Sequence, residues 1–285
     1  MHVAVTRDSL AAELAFALEI AARAGELQMA RFERLERIEH KSARDVVTEV
    51  DHLSEALILE GIRATFPGDA ILAEESGGHA GARGHARTSE DAPTSGRGRV
   101  WVVDPLDGTV NYANGIPFFC VAVGLVIDGR PAVGVVRDPA RGESFAATIT
   151  GPAVLHLSNG SERELTVSTK DKLSDYVASV SISGRAAVTR SRALRRAIRV
   201  PRSMGAAALA LAYVAAGRFD AFVQEGGLST WDIAAAGLIA ERGGATVTNL
   251  VGGPWFDIAA SSRSIGVLAA PPAHHGALLD LLRGG

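Results

Sequence analysis

Three apolar, β-rich runs at residues 118–127, 132–137 and 143–149 follow one another at hairpin spacing, separated by Asp128-Gly129-Arg130 and Asp138-Pro139-Ala140-Arg141-Gly142. Turn chemistry of that kind between short runs makes an antiparallel sheet the natural outcome. After Gly151 the pattern changes. Strands expected near 165–168, 176–182, 219–224, 245–247 and 265–269 alternate with helices expected near 190–198, 205–216 and 231–242. Alternation with short connections marks an α/β half, so an α+β region over 1–150 is followed by an α/β region over 151–285.

Ahead of the hairpins, residues 9–32 place Leu10, Leu14, Leu18, Ala21, Ala22 and Met29 mostly at helical spacing, with Asp8 or Ser9 placed to cap the start. A charged connection at 34–44 leads to Asp45-Val46-Val47-Thr48-Glu49-Val50-Asp51, read as the opening of a second helix through Leu53, Leu57, Ile58 and Ile62. Phe66-Pro67-Gly68-Asp69 stops it, and a short strand at 70–73 delivers Glu74-Glu75-Ser76. Residues 77–99 are rich in Gly, Ala, Arg, Ser and His without apolar period, and read as a surface loop or insertion.

A length of 285 residues suits one large or two intimate domains. A formal charge of −3 leaves no overall basic excess, which disfavours nucleic acid as a partner. A single cysteine, Cys120, excludes an intramolecular disulfide and a thiolate cluster, and inside an apolar run it reads as a small buried hydrophobe. Arg7 and Asp8 precede any apolar run, and no such run approaches the roughly 18 residues of a membrane helix. The expectation is a cytoplasmic protein with no membrane partner.

Chemistry concentrates at residues 100–109, Val-Trp-Val-Val-Asp104-Pro105-Leu106-Asp107-Gly108-Thr109. The apolar run reads as a buried strand that Pro105 ends, and Asp107-Gly108 as a turn. Asp-Gly is also one of the commonest turn pairs, so the stretch alone is equally an ordinary surface turn. Other segments give the acids company: Asp51 near the second helix, Glu74 and Glu75 at a strand end, and Asp232 in a helical first turn, where Ser229 or Thr230 could cap. Close carboxylates repel, so a site keeping them charged calls for a cation. His52, read as a surface residue, is the lone nitrogen donor among these segments, and oxygen donors suit Mg²⁺, Mn²⁺ or Ca²⁺. A helix starting at Gly108 and Thr109 would turn backbone amides toward an anion such as phosphate, and the Thr109 hydroxyl could orient a water.

Four blocks in this order resemble the inositol monophosphatase family of Mg²⁺-dependent, lithium-sensitive phosphatases. They are Lys41-Ser42 with Asp45 to Asp51, Glu74-Glu75-Ser76, Trp101 to Tyr112, and Glu225 through Trp231-Asp232-Ile233-Ala234-Ala235-Ala236-Gly237. The resemblance implies a layered αβαβα sandwich, a homodimer, and hydrolysis of inositol monophosphate or a similar polyol or sugar phosphate. Carried over residue by residue, it implies that Glu74, Asp104 and the Leu106 carbonyl hold one metal and Asp104, Asp107 and Asp232 a second. Glu74 would touch a third site, and Asp51 and Thr109 would order the attacking water. The amides of Gly108 and Thr109 would meet the phosphate, Gly205, Ala206 and Ala207 would line the substrate, and Glu225 would reach sugar hydroxyls. Two or three Mg²⁺ are implied, with Mn²⁺ a substitute and Li⁺ an inhibitor, in an in-line attack of water assisted by two metals. Ala206 departs from the family pattern, where Thr is common.

Fructose 1,6-bisphosphate, histidinol phosphate or a nucleotide 3′-phosphate would suit the same metal motif with a different pocket. A role in RNA or transcription-complex binding is a reading of another class, implied by some bacterial members of the family. Arg192, Arg195, Arg196 and Arg199 fall on one face of the expected helix near 190–198, as a solvated face or as a basic stripe beside the mouth.

Overall fold

The computed structural model describes residues 10–34, 38–42, 45–77, 98–182, 187–260 and 262–283. Asp8, Ser9 and most of the expected 77–99 loop lie outside them. Helix α1 (Ala11–Arg31) is followed by a hairpin of β1 (Ile38–Ser42) and β2 (Asp45–Thr48), then α2 (Glu49–Thr65), β3 (Ala70–Ala73) and α3 (Glu74–Gly77). Strand β4 (Arg99–Asp107) runs into the short helix α4 (Thr109–Ala113), and β5 (Cys120–Ile127), β6 (Arg130–Asp138) and β7 (Glu143–Thr148) are the three hairpin strands. They are extended by β8 (Val154–Leu157) and β9 (Glu162–Glu164). The remainder is β10 (Val177–Ser181), α5 (Ala187–Ala197), β11 (Val200–Arg202), α6 (Ala207–Ala215), β12 (Ala221–Leu228), α7 (Thr230–Arg242), β13 (Thr246–Thr248), β14 (Ile265–Ala270) and α8 (Pro272–Arg283).

Strands β3 to β9 form a seven-stranded sheet in sequence order, antiparallel except for the β3–β4 pair. A five-stranded sheet has the order β11-β10-β12-β14-β13, parallel from β11 to β12 and antiparallel beyond. Helices α1 and α2 cover the outer face of the first sheet, burying Ile20, Ala24, Ile58 and Ile62 against Trp101, Val103, Val121 and Val123. Helices α6 and α7 lie between the sheets, where Leu209, Leu211 and Ile239 join Val136 and Phe145 of one to Phe222 and Val267 of the other. Apolar residues all round α6 fit a helix covered on every side. Helices α5 and α8 close the far face, with Leu194, Ile198 and Leu278 against Ala178, Val223 and Leu268. The result is the expected αβαβα sandwich.

Several local expectations need correction. The expected connection at 34–44 contains strand β1, and residues 45–48 are strand β2; helix α2 begins only at Glu49, because Thr48 caps it. Pro105 does not end β4. The strand continues to Asp107 through an irregularity, with Asp104 opposite Ala122 and Asp107 opposite Cys120. The run near 165–168 is not a strand, since single bonds from Leu165 N to Ala153 O and Val167 N to Gly243 O replace a ladder. The chain instead spends its pairing on β8 and β9, whose hairpin turns at Gly160 with φ 80°. Helix α8 comes in addition to the expected elements: Pro272 opens it, and His275, Leu278, Leu279 and Leu282 form its buried face. Among the described residues, no helix is long and apolar enough to cross a membrane.

Candidate active site

Buried Trp101, Val102 and Val103, paired on both sides by β3 and β5, carry the chain rigidly to Asp104. There the Leu106 amide donates to Asp104 Oδ1 at 3.0 Å. Gly108 caps α4 in the left-handed region, φ 94°. A Cβ at Gly108 would lie 3.0 Å from the Ala206 Cβ and 3.1 Å from the Phe118 carbonyl, so only glycine admits both the turn and the close approach of the 204–206 segment. That segment is tied down by Asn111, whose amide donates to Met204 O at 2.8 Å and Phe118 O at 2.7 Å.

Asp104, Asp107 and Asp232 each present a carboxylate oxygen within 4.8 Å of the others. Asp107 and Asp232 hold their places by capping helices. Asp232 accepts the Ser229 amide at 2.7 Å at the start of α7. Asp107 accepts the amides of Ala207 at 3.1 Å, Ala208 at 2.8 Å and Leu209 at 3.4 Å at the start of α6, and the Cys120 thiol at 3.6 Å. Burial raises the Asp104 carboxyl well above the usual range, and Glu74, Asp107 and Asp232 raise it further. Burial likewise lifts Asp107 to about 6, against its amide donors, and Asp232 to about 7, where the Asp107 charge adds to it. Crowded carboxylates that resist ionisation, with oxygen donors only, fit a hard divalent cation, which would relieve the repulsion.

Glu74 opens α3 directly after β3, and buried Glu55 of α2 holds that junction by accepting the Glu75 amide at 2.8 Å. Asp51, buried in the first turn of α2, receives the Thr48 amide at 2.8 Å and hydroxyl at 2.7 Å on Oδ2. Its Oδ1 accepts the Thr109 hydroxyl at 2.8 Å, and burial outweighs these donors to raise its pKa to about 6. The Leu106 carbonyl lies 3.0 Å from the same hydroxyl.

A cavity of about 530 Å³ adjoins part of this set, while Asp51, Asp104 and Thr109 are not among the residues that line it. Glu74, Asp107 and Asp232 line it together with Gly205, Ala206 and Ala207, and Ser179, Ser181, Gln224 and Arg263 form more of its wall. Glu225 does not line it, but stands in a separate cavity of about 250 Å³ beside Leu250, Val251, Leu282 and Arg283. The Ala207 amide is engaged by Asp107. His52 is exposed and Cys120 buried, as expected. Arg192, Arg195, Arg196 and Arg199 are exposed, none lines the cavity, and Arg199 pairs with Asp175. Glu55, Asn111 and Arg263 join the expected site residues; Asn111 lies within the Trp101 to Tyr112 stretch, but one of its two partners, Met204, is 93 residues on.

The family model described as the inositol monophosphatase family matches residues 10–284. The chain is 37% identical over 262 residues to Nus factor SuhB of Pseudomonas aeruginosa, covering 85% of this chain and 87% of that protein. It is 35% identical over 255 residues to inositol monophosphatase 2 of Solanum lycopersicum, covering 86% and 89%. Among solved structures, the extragenic suppressor protein suhB from Bartonella henselae matches with a TM-score of 0.82 at 27% identity, over 96% of this chain and 100% of that one.

Proposed function

The chain belongs to the inositol monophosphatase family, and from that premise we propose that it is a Mg²⁺-dependent phosphomonoesterase acting on inositol monophosphate or a similar polyol or sugar phosphate. The observation that carries this reading is the trio Asp104, Asp107 and Asp232, gathered within 4.8 Å, two of which line a cavity of about 530 Å³. Glu74, the Leu106 carbonyl and these three acids would hold two or three Mg²⁺. When bound, Mg²⁺ polarises phosphoryl oxygens and offsets the charge that develops as the ester bond breaks. The protein's own groups handle the water. Thr109 Oγ1 donates to Asp51 Oδ1, which leaves its lone pairs to accept from the attacking water, so the proton's destination is Asp51. The amides of Gly108 and Thr109 meet the phosphate, and the hydroxyls of Ser179 and Ser181 with the Gln224 amide offer polar contacts to an alcohol rich in hydroxyls. Glu225, implied by the resemblance to reach sugar hydroxyls, lines a separate cavity and is not part of this set of contacts.

Phosphate release with Mg²⁺ from inositol monophosphate, fructose 1,6-bisphosphate, histidinol phosphate and a nucleotide 3′-phosphate tests the reading. The highest kcat/KM is expected on the inositol or another polyol monophosphate, with Li⁺ inhibiting; no turnover of any of the four would remove it. Asp104→Asn is expected to reduce turnover to background with the fold retained by circular dichroism. A homodimer belongs to the same proposal and is checked by light scattering.

A second reading, participation in a transcription complex, is favoured by the similarity to a protein named Nus factor SuhB and by the exposed arginines of α5. Retention of structured RNA at physiological salt tests the RNA-binding form of it, and no retention excludes that form.

A further inference from the structure

Gln28, near the end of α1, is fully buried and belongs neither to the acid cluster nor to the cavity wall. Its Nε2 donates to the Pro105 carbonyl at 2.7 Å, and its backbone carbonyl accepts the Tyr112 hydroxyl of α4 at 2.6 Å. Among the described residues, its Oε1 is buried without a hydrogen-bond partner. An unsatisfied buried oxygen is destabilising, and Leu27 and Phe32 at the same helix end pack against an apolar cluster of Val50, Leu106, Tyr112 and Phe119. Packing alone would favour an apolar side chain here. The amide supplies something an apolar residue cannot, a donor beneath the Asp104–Asp107 irregularity.

That donor acts on one peptide plane. Pro105 and Leu106 have no partners in the register with β5, and proline has no N–H. The Pro105–Leu106 peptide is therefore fastened from other directions: its carbonyl accepts from Gln28, and its N–H donates to Asp104 Oδ1. Turning this plane would turn the Asp104 carboxylate. We propose that Gln28 is a positioning residue of the metal site, orienting Asp104 through the Pro105–Leu106 peptide. The inference rests on Asp104 being a ligand, as in the proposed function. Partners that orient ligands in this way typically change metal affinity by about 10- to 100-fold when removed.

Gln28→Met keeps the length of the side chain and removes the donor; Gln28→Leu removes it with a different shape. Full-length, metal-free protein is titrated with Mg²⁺ by calorimetry, with the metal-free melting temperature measured alongside. Both variants are expected to bind Mg²⁺ about tenfold more weakly, to melt within a few degrees of the parent, and to regain parental kcat at saturating Mg²⁺. A glutamine with a merely structural role would lower the melting temperature and leave Mg²⁺ affinity unchanged. Parental affinity in either folded variant overturns the proposal, as does failure of both variants to fold. No Mg²⁺ binding by the parent protein would instead remove the metal-site reading, and this inference with it.

Discussion

Thr109 has one hydroxyl hydrogen and two acceptors, Asp51 Oδ1 at 2.8 Å and the Leu106 carbonyl at 3.0 Å. A hydroxyl so held is oriented before any substrate arrives, and it links the helix start at Asp51 to the strand end at Leu106. Thr109→Val keeps the shape and removes the link. It is expected to lower kcat about a hundredfold, the lower range for a lost proton-transfer partner, with KM little changed. Thr109→Ser should restore most of the loss. Steady-state kinetics decides it, and an unaltered kcat in the valine variant would take Thr109 out of the reaction. Asp51 and Thr109 were readable as a pair only through the resemblance, since 58 residues separate them. Their local settings were only partly readable: the Asp107-Gly108 turn pair marks the approach to Thr109, whereas the first-turn position of Asp51 follows from Thr48 capping α2, which the expected helix start at Asp45 did not include.

At the scale of elements, the hairpins of the first sheet were legible because Asp128-Gly129 and Asp138 to Gly142 are turn chemistry between apolar runs. Helix α7 was legible from its apolar run after Ser229 and Thr230. What periodicity does not carry is contact between distant segments. Asp107 reads as the acid of a turn, yet its carboxylate caps α6, whose amides lie about 100 residues on. Gly134 falls inside an apolar run with nothing in the sequence to mark it, yet it is where the backbone of α7 comes down on the sheet. A Cβ at Gly134 would lie 2.6 Å from the Ala235 carbonyl and 2.9 Å from the Ala235 Cα, backbone atoms that cannot swing aside. Gly134→Ala is therefore expected to destabilise by about 2 kcal/mol, as overpacking does. The displacement reaches further than stability, because the first turn of α7 carries Asp232. Urea unfolding should show the loss, and Mg²⁺ titration should show weaker binding; parental stability would mean that α7 is free to shift on the sheet.

Across the whole molecule, the acid cluster sits where the layers meet. Asp104 and Asp107 come from the first sheet and Asp232 from the middle helices, while Ser179, Ser181 and Phe222 of the second sheet wall the cavity. Charge in the cluster thus acts on the packing of all three layers. In the metal-free protein, Asp104 lies well above its usual 3.8, Asp107 at about 6 and Asp232 at about 7. A carboxyl whose folded pKa is raised binds its proton more tightly in the folded state, so its contribution to stability is full below the unfolded value near 3.8 and is lost as pH rises through about 6 to 7. Carboxyls with lowered values, such as Glu143 beside Arg218 and Arg141, act oppositely, but mainly at more acid pH, near and below the ordinary carboxylate range. Between about pH 5 and about pH 8 the melting temperature of the metal-free protein is expected to fall on account of the cluster. Mg²⁺ competes with those protons, so the gap in melting temperature between saturating Mg²⁺ and chelator should widen over the same window. At a Mg²⁺ concentration 100-fold above Kd the stabilisation is about 2.7 kcal/mol. Asp104→Asn, with one acid fewer, should flatten the pH dependence of the metal-free protein and shrink the gap. Scanning fluorimetry across the pH series reads both effects, and a gap that is absent, or constant with pH, would mean that the carboxylates are not where the cation binds.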